Sequence, residues 1–187
     1  MRLFIAVPVD PIRKRVGQVV DALASKSFDI KWVRPENLHF TLRFLGELPQ
    51  SKVEAIGKAM DEACRCPGFG LRFGGISAFP NLAMPRVVWI GLKEGEPAMS
   101  RLAESLDNSL KRYGVPIAEE SLGFKAHLTI GRVRSFKGSA KFADKASLWT
   151  PEKLALPDVP VDRLVLYESR FGPAGPTYEV LKESPLA

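Results

Sequence analysis

Two segments of this 187-residue chain repeat one four-residue pattern at strand period, and no other feature limits the fold as tightly. They are His39-Phe40-Thr41-Leu42 and His127-Leu128-Thr129-Ile130. Each alternates polar and apolar residues, so on a strand His and Thr share one face while Phe40/Leu42 and Leu128/Ile130 turn into a core. The chain holds two histidines and four threonines, and the repeat takes up both histidines. Two matched strands of this kind predict two similar lobes facing each other.

The rest of the chain interleaves strands with helices. Residues 2–8 read as a buried strand, followed by a helix over 11–26 with Asp10 as N-cap and Pro11 at N1. A short strand at 30–33 and a turn at 34–37 lead into the strand that begins at His39. An amphipathic helix spans 51–64, and strands follow at about 69–79 and 86–92. A second long helix covers 97–113, stopped by Gly114 and Pro116. Then come a strand at 126–132, a short helix near 139–147, and strands at 161–168 and 177–182. No Pro/Gly/Ser linker divides residues 1–187, so the expectation is one bilobal α+β unit with one repeat per lobe.

Hydrophobic residues at 45% and charged residues at 26% are ordinary for a globular protein and exclude a disordered or collagen-like chain. No run of about 18 apolar residues occurs, so no membrane partner is expected. The opening apolar stretch is short and reads as a strand rather than a secretory leader. Cys64 and Cys66 are too close for an unstrained bridge, which fits a reducing cytoplasm. Lys plus Arg number 27 against 21 acids, giving +6, and a basic surface favours polyanions such as RNA, DNA or nucleotides. The run Arg13-Lys14-Arg15 reads as a solvated face, with tracking of an RNA backbone as the alternative.

Paired imidazoles have a natural use. One neutral ring takes a proton from a nucleophile while one protonated ring gives a proton to a leaving oxygen. The adjacent threonines supply hydrogen bonds to an anionic centre. A phosphodiester offers two non-bridging oxygens, an entering oxygen and a leaving oxygen, and fits between two such pairs. No HExxH, no acid beside either histidine and no cysteine pair matching Cys64-x-Cys66 accompany them, so no metal is expected. A P-loop and a GxSxG elbow are absent as well. What remains is a metal-free acid–base pair, and the two local sequences are too alike to tell acid from base. Arg43 shares the strand parity of His39 and Thr41 and is expected in the cleft, binding phosphate. Lys125 shares the parity of His127. Arg132 has the opposite parity and reaches the cleft only if the strand bends or ends near Gly131. Trp32, Phe79 and Trp89 are either core or base-stacking rings.

On these residues the chain resembles the RNA 2′,3′-cyclic phosphodiesterases, also called 2′-5′ RNA ligases, of the 2H phosphoesterase superfamily. The resemblance covers RLFIAVP at the start, WVRPENLHFTLRFLGEL at 32–48, FPNLAMPRVVWIGL at 79–92, AHLTIGRV at 126–133 and LVLYESRFGPAGPTYEVL at 164–181. It implies a bilobal α+β fold with one HxTx strand per lobe lining a basic cleft. The implied reaction opens a terminal 2′,3′-cyclic phosphate to a 2′-phosphomonoester without metal or cofactor, and the implied reversible joining of RNA ends through a 2′-5′ bond is the same chemistry with an RNA 5′-hydroxyl in place of water. By position, His39 is the implied proton donor and His127 the acceptor, with Thr41 and Thr129 on the phosphate oxygens and Arg132 at a family position. The expected partner is RNA with such an end, tRNA fragments included, and the expected state a cytoplasmic monomer. The alternatives are a noncatalytic RNA- or nucleotide-binding module and a sister 2H phosphodiesterase on small cyclic nucleotides.

Overall fold

The computed structural model describes residues 1–117, 124–173 and 175–187. Nine strands form two antiparallel sheets: β1 (Arg2–Pro8), β2 (Ile30–Trp32), β3 (His39–Glu47), β4 (Phe69–Phe79), β5 (Val87–Glu94), β6 (Leu128–Val133), β7 (Val159–Val161), β8 (Arg163–Gly172) and β9 (Gly175–Pro185). Sheet order is β3-β1-β8-β9 in one and β2-β6-β5-β4-β7 in the other. The helices are α1 (Arg13–Leu23), α2 (Val53–Ala63), α3 (Glu96–Arg112), α4 (Ser139–Ser147) and α5 (Pro151–Leu154). This is the expected α+β class, two antiparallel sheets with flanking helices and one HxTx segment on each.

The sheets are not the two halves of the chain. Strands from both ends of the sequence build the first sheet, and β2 leaves the N-terminal region to pair with β6 in the second. The predicted strand at 161–168 runs across a break between sheets, its first residue closing one strand and the rest belonging to another. Val159–Val161 pairs with β4 and Arg163 onward pairs with β1 and β9, with the chain crossing over at Asp162. Alternation alone cannot show such a break, because both pieces keep the strand period. Asp10 is likewise no N-cap. A 3₁₀ turn precedes α1, and the Asp10 carboxylate instead pairs with Arg13 at 2.9 Å and Arg163 at 3.0 Å.

Apolar residues at helical spacing set the helix faces. Val16, Val19, Val20 and Leu23 of α1, and Met99, Leu102, Ala103, Leu106 and Leu110 of α3, are all buried. α2 packs on α3 and β9, while α1 packs on α4, and α4 and α5 lie on β4. One continuous cluster of buried side chains takes in the inner faces of both sheets, with Phe40 of β3 stacked on Phe73 of β4 at 6.2 Å. A smaller cluster, Phe4, Ala6, Val165 and Tyr167, lies on the opposite face of the first sheet, the face that carries His39 and Thr41.

Candidate active site

β3 and β6 touch where the two sheets meet, and they treat their repeats alike. In β3 the pairing with β1 runs Ala6 to Thr41 and then Ile5 to Arg43, so Leu42 is an extra residue in a bulge. In β6 the pairing with β5 runs Trp89 to Thr129 and then Val88 to Gly131, so Ile130 is the extra residue. The last position of each HxTx is therefore a β-bulge, which bends the strand and reverses the parity of the residues beyond it. His127 itself stands just before the first residue of β6.

The bulges decide the fate of the flanking cations. Arg43, counted on the histidine face, turns to the helix side instead: it is 7% exposed, and its Nε donates to Asp107 of α3 at 2.7 Å. A second guanidinium nitrogen bonds the other carboxylate oxygen, a bidentate pair. Arg132 goes the other way. It pairs with Val87 beyond the bulge, which sets it on the face of Thr129 and Trp89, and its charge reaches His39 in the other sheet. Lys125 stands over the ring of Trp89, with Nζ 5.0 Å from the ring centre. Of the aromatics, Phe79 and Trp89 lie at His127, whereas Trp32 packs beside Phe142.

Removing the Asp107 carboxylate strips the Arg43 guanidinium of its bidentate partner. Asp107→Ala is expected to lower stability by about 3 kcal/mol in denaturant titration, while any activity per folded molecule stays near wild type. A cleft role for Arg43 would show the reverse.

Both imidazoles are anchored the same way. His39 Nδ1 lies 2.8 Å from the Asn37 carbonyl and His127 Nδ1 lies 2.8 Å from the Lys125 carbonyl. A carbonyl only accepts, so each Nδ1 carries the hydrogen and each Nε2 is left for chemistry. The backbone before His127 is held in turn by Ala126 N–H, which donates to the Glu96 carboxylate at 3.0 Å. Each ring also meets an aromatic edge-on: Tyr178 on His39 at 5.4 Å and Phe79 on His127 at 5.0 Å.

The surroundings then diverge. His39 Nε2 lies 2.9 Å from Thr41 Oγ1, and its ring touches Phe4 at 4.9 Å and Tyr167 at 6.3 Å. With Nδ1 holding the hydrogen, the threonine hydroxyl donates to a neutral Nε2. Burial, above all, pushes the His39 pKa from 6.5 down to about 4, and positive charge from Arg13 and Arg132 together with His127 adds to the shift. The hydrogen bond to Asn37 opposes it. His127, hydrogen-bonded at the exposed edge of the cleft, is the more open of the two.

That shift has a signed consequence. The unfolded chain binds the His39 proton below about pH 6.5, and the folded chain only near pH 4. The stability tied to neutral His39 is therefore fully present above pH 6.5 and is lost as pH falls toward 4, about 3 kcal/mol in all. Denaturant titrations at pH 7 and pH 4.5 should show this loss in the wild type and a smaller one in His39→Gln.

Three residues near the site were not picked out from sequence. Arg13, read as solvated, is half-buried with its charge felt at His39. The available signal was proximity in the chain, since β1 ends with Pro8 opposite His39 and α1 starts five residues later. Asn37 stands two residues before His39, but its side-chain tie to Pro176, like the contact of Tyr178 with His39, is long-range and no local pattern encodes it. No group of three or more His, Cys, Asp or Glu side chains that could hold a metal stands together among the described residues. Nor is any described helix long and apolar enough to cross a membrane.

Two antiparallel sheets meeting at paired HxTx strands define the 2H phosphoesterase class. The model of the LigT-like phosphoesterase family matches residues 7–89. An RNA 2′,3′-cyclic phosphodiesterase of Archaeoglobus fulgidus is 40% identical over 183 residues, 97% of this chain and 98% of the relative. One of Thermotoga maritima is 34% identical, covering 98% of this chain and 94% of its own length. Among solved structures, a Thermus thermophilus protein aligns at TM-score 0.76 and 28% identity, covering 100% of this chain and 98% of that one. Escherichia coli LigT complexed with 3′-AMP aligns at 0.74 and 26%, covering 99% and 97%. The chain belongs to the LigT-like phosphoesterase family.

Proposed function

We propose that this protein hydrolyses RNA 2′,3′-cyclic phosphate ends to 2′-phosphomonoesters by two-histidine acid–base catalysis, with both sheets working as one bilobal unit. The observation that carries the reading is the pairing of two imidazoles, one per sheet, each fixed through Nδ1 to a backbone carbonyl with Nε2 left for proton transfer. His127, nearer solvent, takes the proton from the attacking water, and His39 gives one to the departing 3′ oxygen. Thr41 and Thr129 hold the non-bridging oxygens, and Arg132 supplies positive charge between the sheets. Lys125 lies at the mouth of the His127 side.

Neutral His39 is the resting form of the free protein at pH 7. A bound phosphodiester changes its field: an anion beside Arg132 offsets the cations that disfavour the imidazolium and draws the pKa back up, toward the donor's protonated form. The same chemistry joins RNA ends when an RNA 5′-hydroxyl replaces water: it gives its proton to His127 and attacks the phosphorus, the 3′ oxygen leaves with a proton from His39, and the retained bond to the 2′ oxygen makes a 2′-5′ joint. The partner class is RNA with a cyclic phosphate end, tRNA fragments included, met in the cytoplasm by a monomer.

The deciding test is incubation of an oligoribonucleotide ending in a 2′,3′-cyclic phosphate with excess EDTA, separating 2′- from 3′-monophosphate. Clean 2′-phosphate is expected. Activity that needs added metal overturns the mechanism. Tight, salt-dependent RNA binding without turnover favours a binding module, and turnover of cyclic mononucleotides alone favours the sister activity.

A further inference from the structure

We infer that the end of the β8–β9 hairpin forms a wall of the catalytic cleft, and that Asn37 is the positioning residue tying that wall to His39. This rests on the phosphodiesterase reading above and adds a part to it.

β9 and β3 are the two edges of a four-stranded sheet. In a flat sheet they stand three strand spacings apart, about 14 Å. The hairpin nonetheless meets the start of β3. The Asn37 side-chain amide, one residue outside that strand's lead-in, donates to the Pro176 carbonyl of β9 at 2.9 Å. Tyr178 of β9 lies edge-on to His39. A Cβ placed on Gly175 would stand 3.6 Å from Lys31 Nζ of β2, in the other sheet.

The pairing explains how. β1 accompanies β8 only as far as Glu168, so Ser169–Gly172 and Gly175–Tyr178 pair with one another alone. A bulge between Leu166 and Tyr167 adds twist to the hairpin. Freed from β1, the hairpin end curls over the histidine face.

Asn37 sits at the joint. Its main-chain carbonyl accepts the His39 Nδ1 hydrogen at 2.8 Å while its side chain holds the hairpin, and it is 9% exposed. The ring's orientation and the hairpin's position therefore share one residue. The other histidine is held differently, its carbonyl partner belonging to Lys125, an exposed residue whose Nζ stands over Trp89. The tie keeps the hairpin over the His39 ring, where Tyr178 covers it edge-on. The groups that bear on its proton are Arg13 of α1, Arg132 of β6, His127 before β6, Tyr167 of β8 and Tyr178 of β9, and the last of these is on the hairpin.

Losing the amide frees the hairpin, admits water to the His39 ring and loosens its aim at the leaving oxygen. The experiment is an NMR titration of the His39 imidazole in the full chain, comparing wild type with Asn37→Ala and Tyr178→Ala, beside turnover of the cyclic-phosphate oligonucleotide. In both variants the His39 midpoint should rise from about 4 toward the ordinary histidine value. For Asn37→Ala, kcat should fall on the order of 10-fold or more with KM changed less. A midpoint unmoved in both variants overturns the tie, whatever the activity, because a purely structural asparagine would not govern that proton. If Asn37→Ala fails to fold, Tyr178→Ala decides by the same midpoint. A wild type that does not turn over RNA defeats the phosphodiesterase reading, while the titration still decides the tie.

Discussion

Replacing His127 by alanine should lower hydrolysis of a 2′,3′-cyclic phosphate end by on the order of 10²–10⁴-fold, and His39→Ala should do likewise, in single-turnover assays. Each ring is oriented through Nδ1 by a backbone carbonyl at 2.8 Å, which stays in place when the ring is truncated, so the rate loss reads the missing proton carrier when it is measured per folded molecule. The two losses should not multiply, because an acid and a base that act in one transition state form a unit. Leaving-group chemistry separates the roles. A phosphodiester with a nitrophenolate leaving group needs no proton donor, so it should recover much of the lost rate in His39→Ala and little in His127→Ala. Recovery in His127→Ala instead would exchange donor and acceptor. Full hydrolysis by either alanine variant would end the two-histidine mechanism.

Thr41→Val and Thr129→Val should each cost on the order of 10²-fold in kcat, the usual effect of removing one preorganised donor to a developing anion. Valine keeps the shape and the strand preference, so stability should hardly move. The two differ in one respect. Thr41 is engaged with His39 Nε2 at 2.9 Å, and its hydroxyl supports the neutral ring. Thr41→Val should therefore raise the His39 midpoint as well as slow turnover, whereas Thr129→Val should leave that midpoint in place. Equal rates for wild type and both valine variants would remove the threonines from the chemistry.

Most elements are legible in the sequence because their signals are local. Period-2 runs place β1, β3, β4 and β5 within a residue or two, and apolar spacing places α2, α3 and α4. Parity counted through a bulge fails for Arg43, while Arg132 changes face because its strand bends before Gly131, the condition its opposite parity had set. Alternation assigns Arg43 and Arg132 to opposite faces, and each lies on the face assigned to the other. β7 and α5 escape because three and four residues carry too little pattern to stand out from a loop.

By itself the sequence determined the strand class, the α+β type and the two histidine–threonine pairs, since each depends on neighbours two to four positions apart. Tertiary structure alone decided which cations face the site and what covers the His39 ring. Those outcomes turn on contacts such as Arg43 to Asp107, 64 residues apart, and Asn37 to Pro176, 139 residues apart. They turn also on one extra residue in each HxTx strand. Alternation fixes a side chain's face only along an unbroken ladder, and where the ladder breaks depends on the strand beside it.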